Sequence, residues 1–173
     1  MKPMRQIRIE KLTLNFGAGK EPKELDKGVQ LLQNITGIPP VKTVTNKRIP
    51  TWGLRPGLPI GCKITLRGQK ARELITRLLA ARENNLEESN FDNYGNISFG
   101  IPEYIDIPGV KYDPKLGITG LQVSLTLERP GFRIKRRKIA KRKIPKKHQI
   151  TREDAMAFMQ DAFKLKIGEE EST

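Results

Sequence analysis

Lys63, Thr65 and Arg67 alternate with Cys62, Ile64 and Leu66, so a strand through this stretch places polar, mostly cationic side chains on one face and apolar ones on the other. Lys11, Thr13 and Asn15 repeat the pattern against Leu12, Leu14 and Phe16, and Gly17 follows. Such groups suit a polyanion: ammonium and guanidinium groups neutralise phosphates, while hydroxyls and amides hydrogen-bond phosphate and ribose oxygens. A further set, Arg133, Lys135, Arg136 and Arg137, begins a run of ten Lys/Arg without an acid between residues 131 and 147. Lys47, Arg48, Thr51, Trp52 and Arg55 form another. They occupy a loop stiffened by Pro50, Pro56 and Pro59, whose fixed φ lowers the entropy of displaying Trp52 and Arg55.

Catalytic chemistry finds little to work with. His148 is the sole histidine and ends the basic run, so neither a histidine-centred triad nor a two-histidine metal site can be assembled within one chain. Glu87-Glu88 with Asp92, or Glu103 with Asp106, are adjacent loop acids of the usual solvated kind, and Gly17-Ala-Gly19-Lys20 lacks Walker spacing. The lone Cys62 reads as core filler on the apolar side of its strand. No catalytic residue, cofactor or metal is expected. The net charge of +14 and pI near 10.1 point to nucleic acid. The charge is blocky: residues 1–82 carry 17 basic and 5 acidic side chains, whereas 83–130 carry 3 and 8. That separation favours binding surfaces over a uniformly solvated exterior. No apolar run approaches the ~20 residues needed to span a bilayer, and Met1–Arg5 leads into a strand without a signal-peptide core. The expectation is a cytoplasmic protein with no membrane partner.

These residues need elements to position them. The 173 residues suffice for one domain, 1–173, with an internal basic arm at 131–148 and a C-terminal helix near 151–165. A first strand is expected over Ile7–Phe16; Ile9 is out of phase with Leu12, which requires a bulge or twist near Glu10-Lys11. Pro22 opens a helix with Leu25, Val29, Leu32 and Ile35 inward, and Gly37 closes it. A short strand from Val41 to about Asn46 precedes the proline loop and the Cys62 strand. After Gly68 a second helix buries Ala71, Leu74, Ile75, Leu78 and Leu79, with Arg72, Arg77 and Arg82 outside. Strands follow at Ile97–Ile101 and Leu121–Leu127, separated by an ordered loop, Pro102–Gly120. Thr151 and Asp154 form a capping box for a helix that buries Ala155, Phe158, Ala162 and Leu165, and Glu169–Thr173 frays. The order β-α-β-β-α-β-β-α predicts an α+β fold: an antiparallel β-sheet with helices packed on one face, a ferredoxin-like variant. The other face would collect Lys11, Thr13, Asn15, Lys63, Thr65, Arg67, Ser98, Gln122, Ser124 and Thr126. It holds no aromatic residue, which argues against base stacking across it. Composition alone leaves open a sequence-independent RNA or DNA binder, such as a chaperone or packaging protein.

Several segments in order resemble one family, the L-five proteins of the large ribosomal subunit, which bind 5S ribosomal RNA. They are Asn15–Gly19, Pro59–Gly68, Gly95–Gly100 with Glu103, Tyr112–Pro114 with Gly117, Ile118 and Gly120, and Arg129-Pro-Gly131. The Arg129–Gly131 turn, the basic arm and the final helix are similar to the archaeal and eukaryotic branch. The resemblance implies a structural ribosomal protein in the central protuberance, bound to 5S rRNA and adjacent large-subunit rRNA. It implies that Asn15 and Thr65 hydrogen-bond 5S rRNA and that the 47–60 loop, with Arg55 and Trp52, reaches toward P-site tRNA. Other ribosomal proteins, including a small-subunit bridge partner, are implied as neighbours. Ile38 departs from the family pattern, which has glutamine after the helix-ending glycine.

Overall fold

The computed structural model describes residues 3–168; the expected acidic fray at Glu169–Thr173 lies outside them. Strand β1 (Arg8–Gly17) leads to helix α1 (Pro22–Thr36), then β2 (Val41–Val44) and β3 (Pro59–Leu66). Helix α2 (Gly68–Ala80) is followed by β4 (Asn85–Glu87), β5 (Asn96–Ile101) and β6 (Leu121–Glu128), and helix α3 (Arg152–Phe163) by β7 (Lys166–Gly168). The main sheet has the order β2-β3-β1-β6-β5, antiparallel throughout. Its β2-β3-β1-β6 portion has the split β-α-β arrangement of a ferredoxin-like sheet, and β5 extends the edge.

Alternation of side chains divides the sheet into two faces. Leu12, Leu14 and Phe16 sit opposite Leu66, Ile64 and Cys62, and with Val123, Leu125, Ile97 and Phe99 they form the buried layer. Helices α1 and α2 cover it with Leu25, Leu31, Leu32 and Ile35 and with Ala71, Leu74, Ile75, Leu78 and Leu79. Helix α1 can lie close because residue 28 is glycine: a Cβ there would overlap the Phe16 ring. Pro22 is in the first turn, and Gly37 adopts φ +70° and donates its N–H to Gln33 O at 2.7 Å. Cys62 is fully buried, and burial pushes its thiol up to about 11, so it stays neutral and unreactive.

The expected bulge is present: pairing between β1 and β6 shifts between Ile9 and Lys11, leaving Glu10 as the extra residue. Thr151 Oγ1 accepts from the Asp154 N–H and the Asp154 carboxylate accepts from the Thr151 N–H, both at 3.2 Å, completing the capping box. The buried side of α3 differs from the expected stripe. Ala155 and Met159 are buried, whereas Phe158 and Ala162 are half-buried and Leu165 is buried beyond the helix end. Lys164 at φ +55° ends the helix and turns the chain into β7, which pairs parallel with β4. The loop between β5 and β6 is ordered by Tyr104, fully buried, whose hydroxyl accepts the Asp113 N–H at 3.0 Å.

Candidate nucleic-acid interface

The open face of the main sheet is a grid of short polar side chains. Register places Thr65, Thr13, Ser124 and Ser98 in one row across four strands, and Lys63, Asn15, Gln122 and Gly100 in the next. Neighbours approach along the rows: Asn15 Nδ2 donates to Gln122 Oε1 at 3.0 Å, while the Ser98 and Ser124 hydroxyls lie 3.3 Å apart and the Thr13 and Thr65 hydroxyls 3.5 Å, at the long end of hydrogen-bonding range. Lys63 and Thr65 are exposed, and Lys11, Thr13 and Asn15 half-exposed. The Asn15–Gln122 bond holds those two amides together, and the hydroxyl pairs beside them give a surface of closely spaced donors and acceptors.

Gly17 and Gly100 make that surface flat. Neither has a positive φ, and a Cβ on either would meet nothing within 4 Å, so no turn and no packing contact accounts for them. Glycine in a strand with open space above it suits close approach of a ligand. Next to them opens a cleft of about 540 Å³ lined by Asn15, Gly17, Gly100, Gln122 and Arg82. Arg82, expected on the solvated side of α2, is half-buried, and its Nε is buried without a hydrogen-bond partner among the described residues. It places a cation at the rim of the polar face. Sequence periodicity could not find it, because residue 82 lies past the end of α2 and comes to the same cleft as Asn15 and Gln122 only through the fold.

At the opposite end of the face, two carboxylates are masked. Glu128 follows Gln122, Ser124 and Thr126 on the polar side, and the bulge leaves Glu10 beside it; both are buried. Arg136 reaches both, with Nη1 2.6 Å from Glu10 Oε1 and Nη2 2.8 Å from Glu128 Oε2. Arg8 pairs with Glu128 at 2.7 Å, and Arg67 donates to the Glu10 carbonyl at 3.2 Å with its carboxylate at 3.8 Å. Three arginines therefore enclose two acids, so a face that would repel phosphate at this end is cationic instead. Arg136 and Arg67 serve as clamps as well as cations. Arg136 also ties the basic arm to the sheet.

The arm is irregular apart from short 3-10 turns at Phe132–Lys135 and Lys146–His148. Phe132 is buried at its root, the Arg142 N–H returns to Ile134 O at 3.2 Å, and Arg137 Nε caps the Ala140 carbonyl at 2.8 Å. Arg133 and Arg137 are exposed, while the Lys135 ammonium sits 4.7 Å from the Phe132 ring centroid. The proline loop is a separate closed structure. Ile49 and Leu54 exchange two backbone hydrogen bonds of 3.0 Å, and Thr45 N–H donates to Leu58 O at 3.0 Å. Gly53 at φ +66° turns the tip so that Leu54 is buried while Trp52 is 66% exposed. Lys47, Arg48, Thr51 and Arg55 are exposed around it. Ile38 packs half-buried against the core, which suits an apolar side chain at that position. Among the described residues no helix is long and apolar enough to cross a membrane, and no three His, Cys, Asp or Glu side chains gather as a metal site.

The chain matches two family descriptions, ribosomal protein L5 over residues 2–55 and the C-terminus of the ribosomal L5 family over residues 59–164. This chain belongs to the ribosomal protein L5 family. Among its relatives is the large ribosomal subunit protein uL5 of Sulfurisphaera tokodaii, 48% identical over 168 residues, covering 96% of this chain and 95% of that one. The uL5 protein of Nanoarchaeum equitans is 48% identical over 166 residues, covering 95% and 98%. That of Methanobrevibacter smithii is 43% identical over 165 residues, covering 95% and 97%. The seam between the two L5 regions falls at residues 56–58, where the proline loop returns to β3. The grid and the loop thus draw on both L5 regions: β1 and the loop tip come from one, β3, β5 and β6 from the other.

Proposed function

We propose that this chain is a structural constituent of the large ribosomal subunit that holds 5S rRNA and adjacent large-subunit rRNA on the polar sheet face. Its work is binding, not catalysis. The observation that carries the reading is the polar grid around Asn15, Thr65 and Gln122, flat at Gly17 and Gly100 and cleared of exposed carboxylates by Arg8, Arg67 and Arg136. Lysines and arginines supply the salt-dependent attraction to phosphates, and the hydroxyl and amide rows supply short-range fit to sugar edges in an A-form groove. Asn15→Ala and Thr65→Ala each lower 5S rRNA affinity about fivefold or more, corresponding to ~1 kcal/mol for a lost polar partner. A gel-shift titration with unchanged affinity for both variants removes the assignment.

The proline loop has a different partner in this reading. It stands apart from the polar rows as its own closed unit, and its exposed indole among four exposed neighbours of polar or cationic type suits the backbone and sugars of P-site tRNA. Trp52→Ala combined with Arg55→Ala spares the Ile49–Leu54 pair that closes the loop. The double variant should bind 5S rRNA normally yet lower tRNA occupancy of the P site severalfold in reconstituted ribosomes. Loss of 5S affinity instead would show that the loop and the sheet face share one RNA. The net-acidic stretch over residues 83–130, with 3 basic and 8 acidic side chains, suits contacts with basic neighbours among the ribosomal proteins, including one across the subunit boundary.

A further inference from the structure

A second cleft, separate from the polar grid, lies where the arm rejoins the body. It holds about 280 Å³ and is lined by Tyr94, Phe132, Lys135, Lys143, Ile144, Gln149 and Ile150. Its floor is apolar. Phe132 is buried, its ring meeting the His148 ring edge-on at 5.8 Å, and Ile150 is buried beside it. Its wall is the Tyr94 ring, 70% exposed. The wall is held in place from both sides. The Asp92 carboxylate accepts the Tyr94 and Asn96 N–H groups at 2.8 and 2.7 Å. Gly95, at φ +76°, rests so closely on Ile150 that a Cβ would fall 2.6 Å from Ile150 Cγ2. The mouth is cationic: the backbone bond from Arg142 to Ile134 doubles the arm back and brings Lys143 to the same cleft as Lys135.

A large aromatic side chain displayed on a fixed turn, beside a Phe132 ring that the Lys135 ammonium approaches to 4.7 Å and with Lys143 in the same lining, has no task in the fold itself. We propose that this cleft takes one unpaired nucleobase of a bound RNA, stacked on Tyr94, with the flanking phosphates on Lys135 and Lys143. The occupant follows from charge and shape. The arm contributes ten cations and no acid between residues 131 and 147, which favours a polyanion over a peptide. The small volume with an aromatic wall favours a single splayed base over a helix. The Gln149 side chain, whose Nε2 donates to Ile144 O at 3.2 Å, adds an amide acceptor to the lining that suits an exocyclic amine. The inference rests on the chain's being an RNA binder, but not on the sheet face being the surface used. It adds base stacking at the arm to a protein whose polar grid offers none.

The test uses the full chain and three probes: single-stranded octa-adenylate, the same octamer with abasic riboses, and a short RNA duplex. Tyr94 is surface-exposed, so Tyr94→Ala and Tyr94→Phe should both fold, which thermal melting checks. Expected is about tenfold weaker octa-adenylate binding for Tyr94→Ala, wild-type binding for Tyr94→Phe, and abasic or duplex binding that is insensitive to either change. Equal affinity for octa-adenylate and its abasic form, or no loss with Tyr94→Ala, overturns the proposal and leaves a protein side chain as the occupant. Asn15→Ala, run in parallel against 5S rRNA, reports on the sheet face alone, so failure at one surface is distinguishable from failure at the other.

Discussion

Replacing both Gly17 and Gly100 by valine should leave the fold intact and lower rRNA affinity about a hundredfold, near tenfold or about 1.4 kcal/mol for each site. The two positions allow this separation because nothing in the fold asks for glycine there. Both have ordinary φ, both open onto empty space, and valine is favoured over glycine in a strand by propensity. The variant should therefore melt at or slightly above the wild-type temperature. Two isopropyl groups would fill space now open above the backbone, at Gly100 on the end of the row carrying Lys63, Asn15 and Gln122 and at Gly17 opposite Gly61 in the next row. An RNA groove pressed against those rows must lift away, and hydrogen bonds lost to a gap of about an ångström are lost almost entirely. Wild-type affinity in the double valine variant would mean that RNA does not lie on this face.

The second large effect is on stability. Arg136→Ala removes the guanidinium that reaches two carboxylates whose side chains are only 6% and 8% exposed. Stripping one partner from a buried pair costs about 3–5 kcal/mol. Arg136 is itself 41% exposed, and Arg8 and Arg67 stay in place, so about 2 kcal/mol is expected after allowing for solvent screening. Adding Glu10→Gln and Glu128→Gln should restore most of that loss, because the uncompensated charges go with the partner. Denaturant unfolding measures both. A change below about 0.5 kcal/mol for Arg136→Ala alone would show that the cluster is an ordinary surface pairing. The arm should also come away from the sheet, so the same variant should bind rRNA with a shallower dependence on salt.

The fold was legible in the sequence wherever a face was repeated often enough. Leu12-Thr-Leu-Asn-Phe16, Cys62–Leu66 and Leu121–Leu127 alternate over two periods or more, and their register follows once one face must be buried. The stripes of α1 and α2 were equally clear, as was the bulge, which the phase slip between Ile9 and Leu12 demanded. The β4–β7 pair was not legible, since three residues a side give no period and the pairing depends on where α3 delivers the chain. In α3 the pattern misled because Phe158 and Phe163 pack edge to face with each other at 6.4 Å, leaving Met159 to fill the core.

The candidate site shows the same division. Lys63, Thr65, Thr13 and Asn15 could be placed on one face by counting in twos, but their partners could not. Gln122, the acceptor for Asn15, lies 107 positions away from it. Arg82, the rim cation, is likewise remote in sequence, and only the packing of α2 against the sheet brings it to the same cleft as the other two. Arg67 and Arg136 read as free cations in the sequence. Their guanidinium groups are engaged with Glu10 and Glu128, and that engagement is what makes the surface fit for an anion.

The most direct test of RNA recognition by the sheet face is a competition measurement at a fixed, moderate salt concentration between 5S rRNA and a generic RNA duplex of equal length. Electrostatic attraction alone treats the two alike, whereas a grid of closely spaced donors and acceptors does not. The expected result is that the duplex displaces 5S rRNA only at about a hundredfold excess or more, and that the double valine variant erases the preference. Equal competition by the duplex against the wild-type chain would contradict it.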